Sequence, residues 1–245
     1  MDKFLYVAMS GAKETLRAQA ANSHNLANAS TTGFRADLSA FQSRAVAGSG
    51  YASRVYATNT STGWDQSSGA QMSTGRNLDI AINGDGFIAV QGRDGREAYT
   101  RAGELIVDAN GQLMTKTGLP VLGDGGPLSV PPNNTLAIAP DGTISIVPQG
   151  QGPQTTASIG RIKLVNPGNA NLDRGDDGLF RMRDGTDAPS EANVRVTPGT
   201  LESSNVNAAE AMVNMIELAR NFELQVKAIH TAQEDGAASA QLLRA

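Results

Sequence analysis

NAAEAMVNMIELARNFELQVKAIHTAQED, residues 207–235, decides the fold class: the run has neither Gly nor Pro, and its apolar or small residues recur in alternating steps of four and three. The row is Ala208, Met212, Met215, Ala219, Phe222, Val226 and Ile229, continuing through Gln233, Gly236, Ala240 and Leu243. Such spacing is the a/d seam of a coiled coil. Asn205 or Asn207 supplies the N-cap, with Glu210 at capping-box distance from Asn207. Glu223 and Lys227 form an i,i+4 pair in the favourable order, and Glu217 faces Arg220 at i+3. A helix to Leu243 is about 38 residues, close to 60 Å.

The other end of the chain has the same pattern. Leu5, Met9, Ala12, Leu16, Gln19, Ser23 and Leu26 keep the alternating steps. Asp2 is the expected N-cap and Gly33 the stop signal, giving a helix from about Lys3 to Asn28, roughly 40 Å long. The expectation is that the two terminal helices pair as a coiled-coil-like domain. Gln19, Ser23, Gln233 and Gly236 sit on the seams, so that pair by itself is weak. Val213, Ile216, Leu218 and Leu224 lie off the seam and widen the apolar surface. A helix apolar on more than one face needs more than one neighbour.

Between the helices the punctuation changes. All ten prolines fall between Pro120 and Pro198. Asn83-Gly84, Asp94-Gly95, Asn110-Gly111, Asp124-Gly125, Asp141-Gly142 and Asp184-Gly185 are hairpin-type dipeptides. They separate short strand-like runs at 78–82, 87–91, 105–107, 113–115, 136–139, 143–147, 161–165 and 193–197. The middle therefore reads as an antiparallel all-β domain over residues 75–198. Only 4% of residues are aromatic, so its core is expected from Ile, Leu and Val. Residues 36–74 are rich in Ser, Thr, Gly and Ala, with spaced aromatics Phe41, Tyr51, Tyr56 and Trp64. They read as an extended arm lying along other protein surface. The whole is α+β: a discontinuous helical domain (1–35 and 199–245), an arm (36–74) and a central β domain (75–198).

Composition narrows the chemistry. Twenty basic against 24 acidic residues give a net charge of −4, with no basic excess of the kind that marks nucleic-acid or anionic-membrane binding. There are no cysteines and only two histidines, His24 and His230. Thiolate metal sites and cysteine nucleophiles are excluded, and little remains for a zinc or His-base site. Ser10-Gly-Ala-Lys13 matches S-x-x-K and Lys116-Thr117-Gly118 matches K-T-G, two of three marks of a serine acyl-enzyme. No S-D-N completes the set, and no segment precedes Ser10 to form a pocket. The Asp-Gly clusters do not meet the EF-hand template, and Arg174-Gly175-Asp176 is read as loop sequence. No catalytic, cofactor-binding or metal site is assigned.

The stretch Asn25-Leu-Ala-Asn28-Ala-Ser-Thr31-Thr-Gly33-Phe34-Arg35 resembles the signature of the bacterial flagellar rod, hook and hook-associated proteins. Further marks follow in order: Thr74 to Ile82, Gly84-Asp-Gly86-Phe87, Tyr99-Thr-Arg101-Ala-Gly103, Asp108 to Gly111, and Gly199-Thr-Leu201-Glu202-Ser-Ser204-Asn205-Val206. The opening residues and the length are closest to the proximal-rod members, with distal-rod members as the near alternative. The resemblance implies a non-catalytic axial subunit that polymerises with other rod proteins in the periplasm-spanning basal body. It also implies passage through the flagellar type III export apparatus without a cleaved signal, and neither small-molecule substrate nor membrane insertion. The assembly residues it points to are Leu5, Met9, Leu16, Asn25, Leu26, Asn28, Thr31, Gly33, Phe34, Asn205, Met212, Met215, Phe222, Val226 and Ile229. The competing class is a monomeric secreted β-domain binder with its helices as a stalk.

Overall fold

The computed structural model describes residues 4–45, 55–150, 155–168, 171–175 and 177–242. Asp2, Lys3, Tyr51, Asp176 and Leu243, each used in the sequence reading, lie outside them. The architecture is α+β, in two compact units. One holds residues 1–29, 36–65 and 206–245, and the other residues 30–35 and 66–205.

The first unit contains helix α1 (Phe4–Ala27), strands β1 (Asp37–Ala45) and β2 (Val55–Trp64), and helix α2 (Ala208–Leu242). Asn207 caps α2: its Oδ1 accepts the amides of Ala209 at 3.1 Å and Glu210 at 3.3 Å. At the other end of α1, Asn28 Nδ2 donates to the His24 carbonyl at 2.9 Å and satisfies one of the last orphan acceptors. The two helices run antiparallel. Asn22 Nδ2 donates to the Ala211 carbonyl at 2.7 Å, and a Cβ on Gly11 would come within 3.0 Å of the Gln225 side chain. Within the stretch 36–74, read as an arm, residues 37–45 and 55–64 pair antiparallel as β1 and β2, with Phe41 opposite Asn59, and residues 71–73 form the short strand β3 (Gln71–Ser73) of the second unit.

The pairing of the terminal helices as a coiled coil, expected from the seams, is not what the structure shows. Met9 and Leu16 of the α1 seam are 52% and 49% exposed, and Met212 of the α2 seam is 50% exposed. The buried row of α1 is Ala8, Ala12, Thr15 and Ala18, and α2 buries Ala211 in place of Met212. A coiled coil needs large knobs in facing holes; small and polar residues meet here instead. The reason is a third element. Strand β2 packs on α1 as well: Glu14 accepts the Asn59 amide at 3.2 Å, and Ser10 Oγ reaches the Ala57 carbonyl. That contact widens the covered face of α1 and turns the large apolar residues outward.

The second unit continues with β4 (Ile80–Asn83), β5 (Phe87–Gln91), β6 (Glu97–Thr100), β7 (Leu105–Val107), β8 (Leu113–Thr115), β9 (Leu122–Gly123) and β10 (Gly126–Pro127). It then runs through β11 (Asn133–Ile138), β12 (Thr143–Pro148), β13 (Ala157–Arg161), β14 (Leu164–Val165), β15 (Leu172–Arg174), β16 (Phe180–Met182), β17 (Arg195–Pro198) and β18 (Thr200–Glu202). Every pairing between these strands is antiparallel. The largest sheet has the order β14-β5-β6-β16-β15, and β11-β12-β13 form a second. The core is aliphatic: Ile80, Ile82, Ile88, Leu105, Leu113, Ile144, Ile162 and Leu164 are almost wholly buried. Burying such side chains contributes about 1.5–3 kcal/mol each. Phe87 and Phe180 add one tilted aromatic pair, 5.1 Å between centroids.

Candidate assembly site

Within the helical unit the signature amides act on backbone. Asn25 exchanges two hydrogen bonds with Asp37: its Nδ2 donates to the carbonyl at 2.9 Å and its Oδ1 accepts the amide at 2.8 Å. The side chain of one helical residue thus takes the place of a strand partner for the first residue of β1. His24 Nδ1 lies 2.7 Å from Asp37 Oδ2 beside it. Glu14 is the buried charge among the described residues of this unit, held by Arg17 at 3.0 Å as well as by Asn59. Burial pushes its carboxyl up, but the Asn59 amide and the Arg17 guanidinium outweigh that and hold it below the ordinary glutamate range.

The outward surface of the same unit is apolar on both helices. Met9 and Leu16 on α1, and Met212, Val213, Ile216 and Leu224 on α2, are at least about half exposed. Leu5, Leu26, Met215, Phe222, Val226 and Ile229 are half-buried. The residues singled out from the seams therefore separate into two groups. Monomers rarely expose this many large apolar side chains unless something covers them.

Thr31, Gly33 and Phe34 fall in the β unit. Gly33 takes a φ of +68°, and a Cβ there would stand 2.3 Å from the Arg101 carbonyl carbon, so only glycine fits. Its amide donates to the Glu202 carbonyl at 2.8 Å, and the Asn205 amide donates to the Phe34 carbonyl at 3.3 Å. Phe34 is buried beneath the Arg174 guanidinium, 4.4 Å from the ring centroid, within cation–π range. The Thr31 carbonyl accepts the Phe34 amide at 3.3 Å.

The sequence reading quoted Arg35, Arg101 and Glu202 only as parts of motifs and missed what they make. All three are buried, at 1%, 4% and 2% exposure. Arg35 Nη2 meets Glu202 Oε1 at 2.7 Å, and Arg101 Nη1 meets Oε2 at 3.0 Å. The Gly69 amide also donates to Oε1, and Arg101 Nη2 donates to the Gly84 carbonyl at 2.8 Å. Three charges far apart in sequence carry no local periodicity, so nothing in the pattern could have brought them together.

Three of the groups weighed for acyl-enzyme chemistry are engaged elsewhere. Ser10 faces the Ala57 carbonyl, Lys116 pairs with Glu104 at 2.9 Å, and the Thr117 hydroxyl meets that of Thr115 at 2.9 Å. Among the described residues there is no group of three or more His, Cys, Asp or Glu side chains that could hold a metal ion, and no helix long and apolar enough to cross a membrane.

Known families match three stretches of the chain. Residues 5–35 match the flagella basal body rod protein family, residues 81–146 the D1 domain of the flagellar hook protein FlgE/F/G, and residues 197–242 the C-terminal region of the flagellar basal body rod FlgEFG proteins. The chain is 44% identical to the flagellar basal-body rod protein FlgF of Escherichia coli and 43% identical to that of Salmonella typhimurium, over 99% of each chain. Its identity to the flagellar basal-body rod protein FlgG of Buchnera aphidicola from Schizaphis graminum is 33%, over 86% of this chain and 88% of that one. The terminal helices, the β unit between them and the likeness to FlgF across 99% of the chain give one conclusion: this chain belongs to the FlgF-type flagellar basal-body rod proteins and is a structural subunit of the rod.

Proposed function

We propose that the chain is a non-catalytic axial subunit of the proximal rod, joined to its neighbours through the outward apolar residues of its two terminal helices. The observation that carries this reading is the surface made by Met9, Leu16, Met212, Val213, Ile216 and Leu224, which the fold of the single chain leaves uncovered. Covering it with adjacent rod subunits removes apolar area from water, worth roughly 25 cal/mol per Å². Contacts of this kind between unlike faces, where the rotation between subunits does not close a ring, propagate as a helical filament. Half-buried Leu5, Leu26, Met215, Phe222, Val226 and Ile229 hold the helices in place behind that surface, Asn25 and Asn28 fix the C-terminal end of α1, and Thr31, Gly33, Phe34 and Asn205 fix the chain segments of the β unit that follow α1 and precede α2 in sequence. The chain reaches the periplasm-spanning basal body through the flagellar type III export apparatus with its N-terminus intact.

The test is a double substitution, Ile216→Asp with Leu224→Asp, in the chromosomal copy of the gene. The variant should be made and exported at the normal level, while basal bodies seen by electron microscopy stop short of a complete rod and the cells do not swim. Normal motility of that strain would overturn the reading.

A further inference from the structure

We infer that Arg35, Arg101 and Glu202 form a clasp that fixes both ends of the β unit at one place and opens as a local unit, separately from the aliphatic core. Glu202 is its hub, since its two carboxylate oxygens receive Arg35 on one side and Arg101 on the other, and Oε1 takes the Gly69 amide as well. Arg35 closes the short segment 30–35, Glu202 ends strand β18, and Gly69 belongs to the segment leading into β3. Three stretches of chain remote in sequence are held by one carboxylate.

The backbone around it supports the same grouping. The Gly33 amide donates to the Glu202 carbonyl and the Asn205 amide to the Phe34 carbonyl, so residues 33–34 and 202–205 run side by side. Arg174 Nη1 donates to the Arg35 carbonyl at 2.7 Å. A Cβ on Gly69 would stand 1.9 Å from the Ser203 carbonyl oxygen, so this segment also lies against the same base. Arg101 is held further by the Gly84 carbonyl, which accepts its Nη2, and by the Phe87 ring, whose centroid lies 5.3 Å from the guanidinium carbon.

A buried ion cluster of this kind adds little net stability, because desolvating three charges costs much of what their attraction returns. Its value lies in geometry: the partners must all be present and aligned, or an uncompensated charge remains. The core of Ile80, Leu105, Ile144 and Ile162 contains none of these groups and stands on its own apolar contacts. The base of the unit is therefore set by directional charge pairing, while the body is held by burial. Sub-global opening along such a division is the expected behaviour of a small cooperative segment.

Hydrogen exchange of the full chain, read by mass spectrometry, tests the clasp with two variants. Arg35→Met leaves the Arg101–Glu202 pair intact, and exchange in residues 30–35 should rise at least tenfold while residues 136–147 stay within twofold of wild type. Glu202→Gln should accelerate residues 30–35 and 66–70 together, again sparing 136–147. Wild-type protection of 30–35 in the first variant would overturn the inference. So would acceleration of 136–147 by the same factor as 30–35 in either variant, or a response in the second variant confined to 30–35.

Discussion

Asn25 and Asp37 pair side chain to backbone through two hydrogen bonds, 2.9 and 2.8 Å, so the last turns of α1 and the first residue of β1 are joined like neighbouring strands. Replacing Asn25 with Leu removes both of these hydrogen bonds. At roughly 0.5–1.5 kcal/mol each, the cost expected is about 1–3 kcal/mol. Asn25→Asp keeps the acceptor and loses the donor, so it should fall between the two. Thermal unfolding followed by far-UV circular dichroism checks the order of the three proteins.

The exposed helix residues make the opposite prediction. Met9→Asp with Leu16→Asp should leave the melting temperature of the isolated chain almost unchanged, because surface substitutions usually stay within about 0.5 kcal/mol. Rod formation in cells should nonetheless fail. A large drop in the melting temperature of the purified variant would show that these side chains serve the fold of the single chain.

Gly33→Ala combines two penalties, a left-handed φ of +68° and a Cβ forced into the Arg101 backbone. Strain at such a position costs on the order of 1–3 kcal/mol before any clash is counted. Urea denaturation monitored by intrinsic fluorescence should show the transition moved to lower denaturant with its slope retained.

Tyr99 is buried and its hydroxyl accepts the Ala188 amide at 2.6 Å. Burial pushes the phenol well above its ordinary value, so it stays neutral through the whole working range. Tyr99→Phe orphans the Ala188 amide and should destabilise by about 1–3 kcal/mol. Exchange at the Ala188 amide should accelerate more than exchange in β11 and β12.

Glu14 gives the acid dependence a sign. Its folded carboxyl lies below the ordinary range, despite burial, because of the Asn59 amide and Arg17. The stability it contributes is present above the unfolded value of about 4.3 and is lost as pH falls through the lower folded value. Asp141, Asp177 and Asp184 are likewise lowered, Asp141 and Asp184 chiefly by the neighbouring Thr143 and Thr186 and Asp177 chiefly by Arg181. Glu14→Gln should flatten the loss of stability below pH 4 without abolishing it. An unchanged acid limb in the variant would count against the Glu14 contact.

Much of the fold was legible locally. The four-and-three spacing and the lack of proline place helices that the structure describes over Phe4–Ala27 and Ala208–Leu242. The runs at 87–91, 105–107 and 113–115 are strands over those same residues, because each is bounded by a turn dipeptide or loop that the chain must obey. Strands β6, β15 and β16 were not foreseen. Each is only three or four residues long, too short for a periodic signal, and is ordered by its neighbours in the large sheet. The β1–β2 hairpin is nearly all exposed on β1 and lacks the alternation that marks a half-buried strand.

The sequence by itself determined the two helices, where apolar spacing and propensity agree, those strands that turn residues cut off cleanly, and a family whose signature runs from Asn25 to Arg35. The tertiary structure alone decided which side of each helix is covered and which charges are buried. Covering depends on a third element, the hairpin, that exposes Met9 and Leu16 while burying Ala8 and Thr15. Burial of Arg35 and Glu202 depends on partners remote along the chain, and a charged residue reads as solvent-facing until its counter-charge has been brought to it.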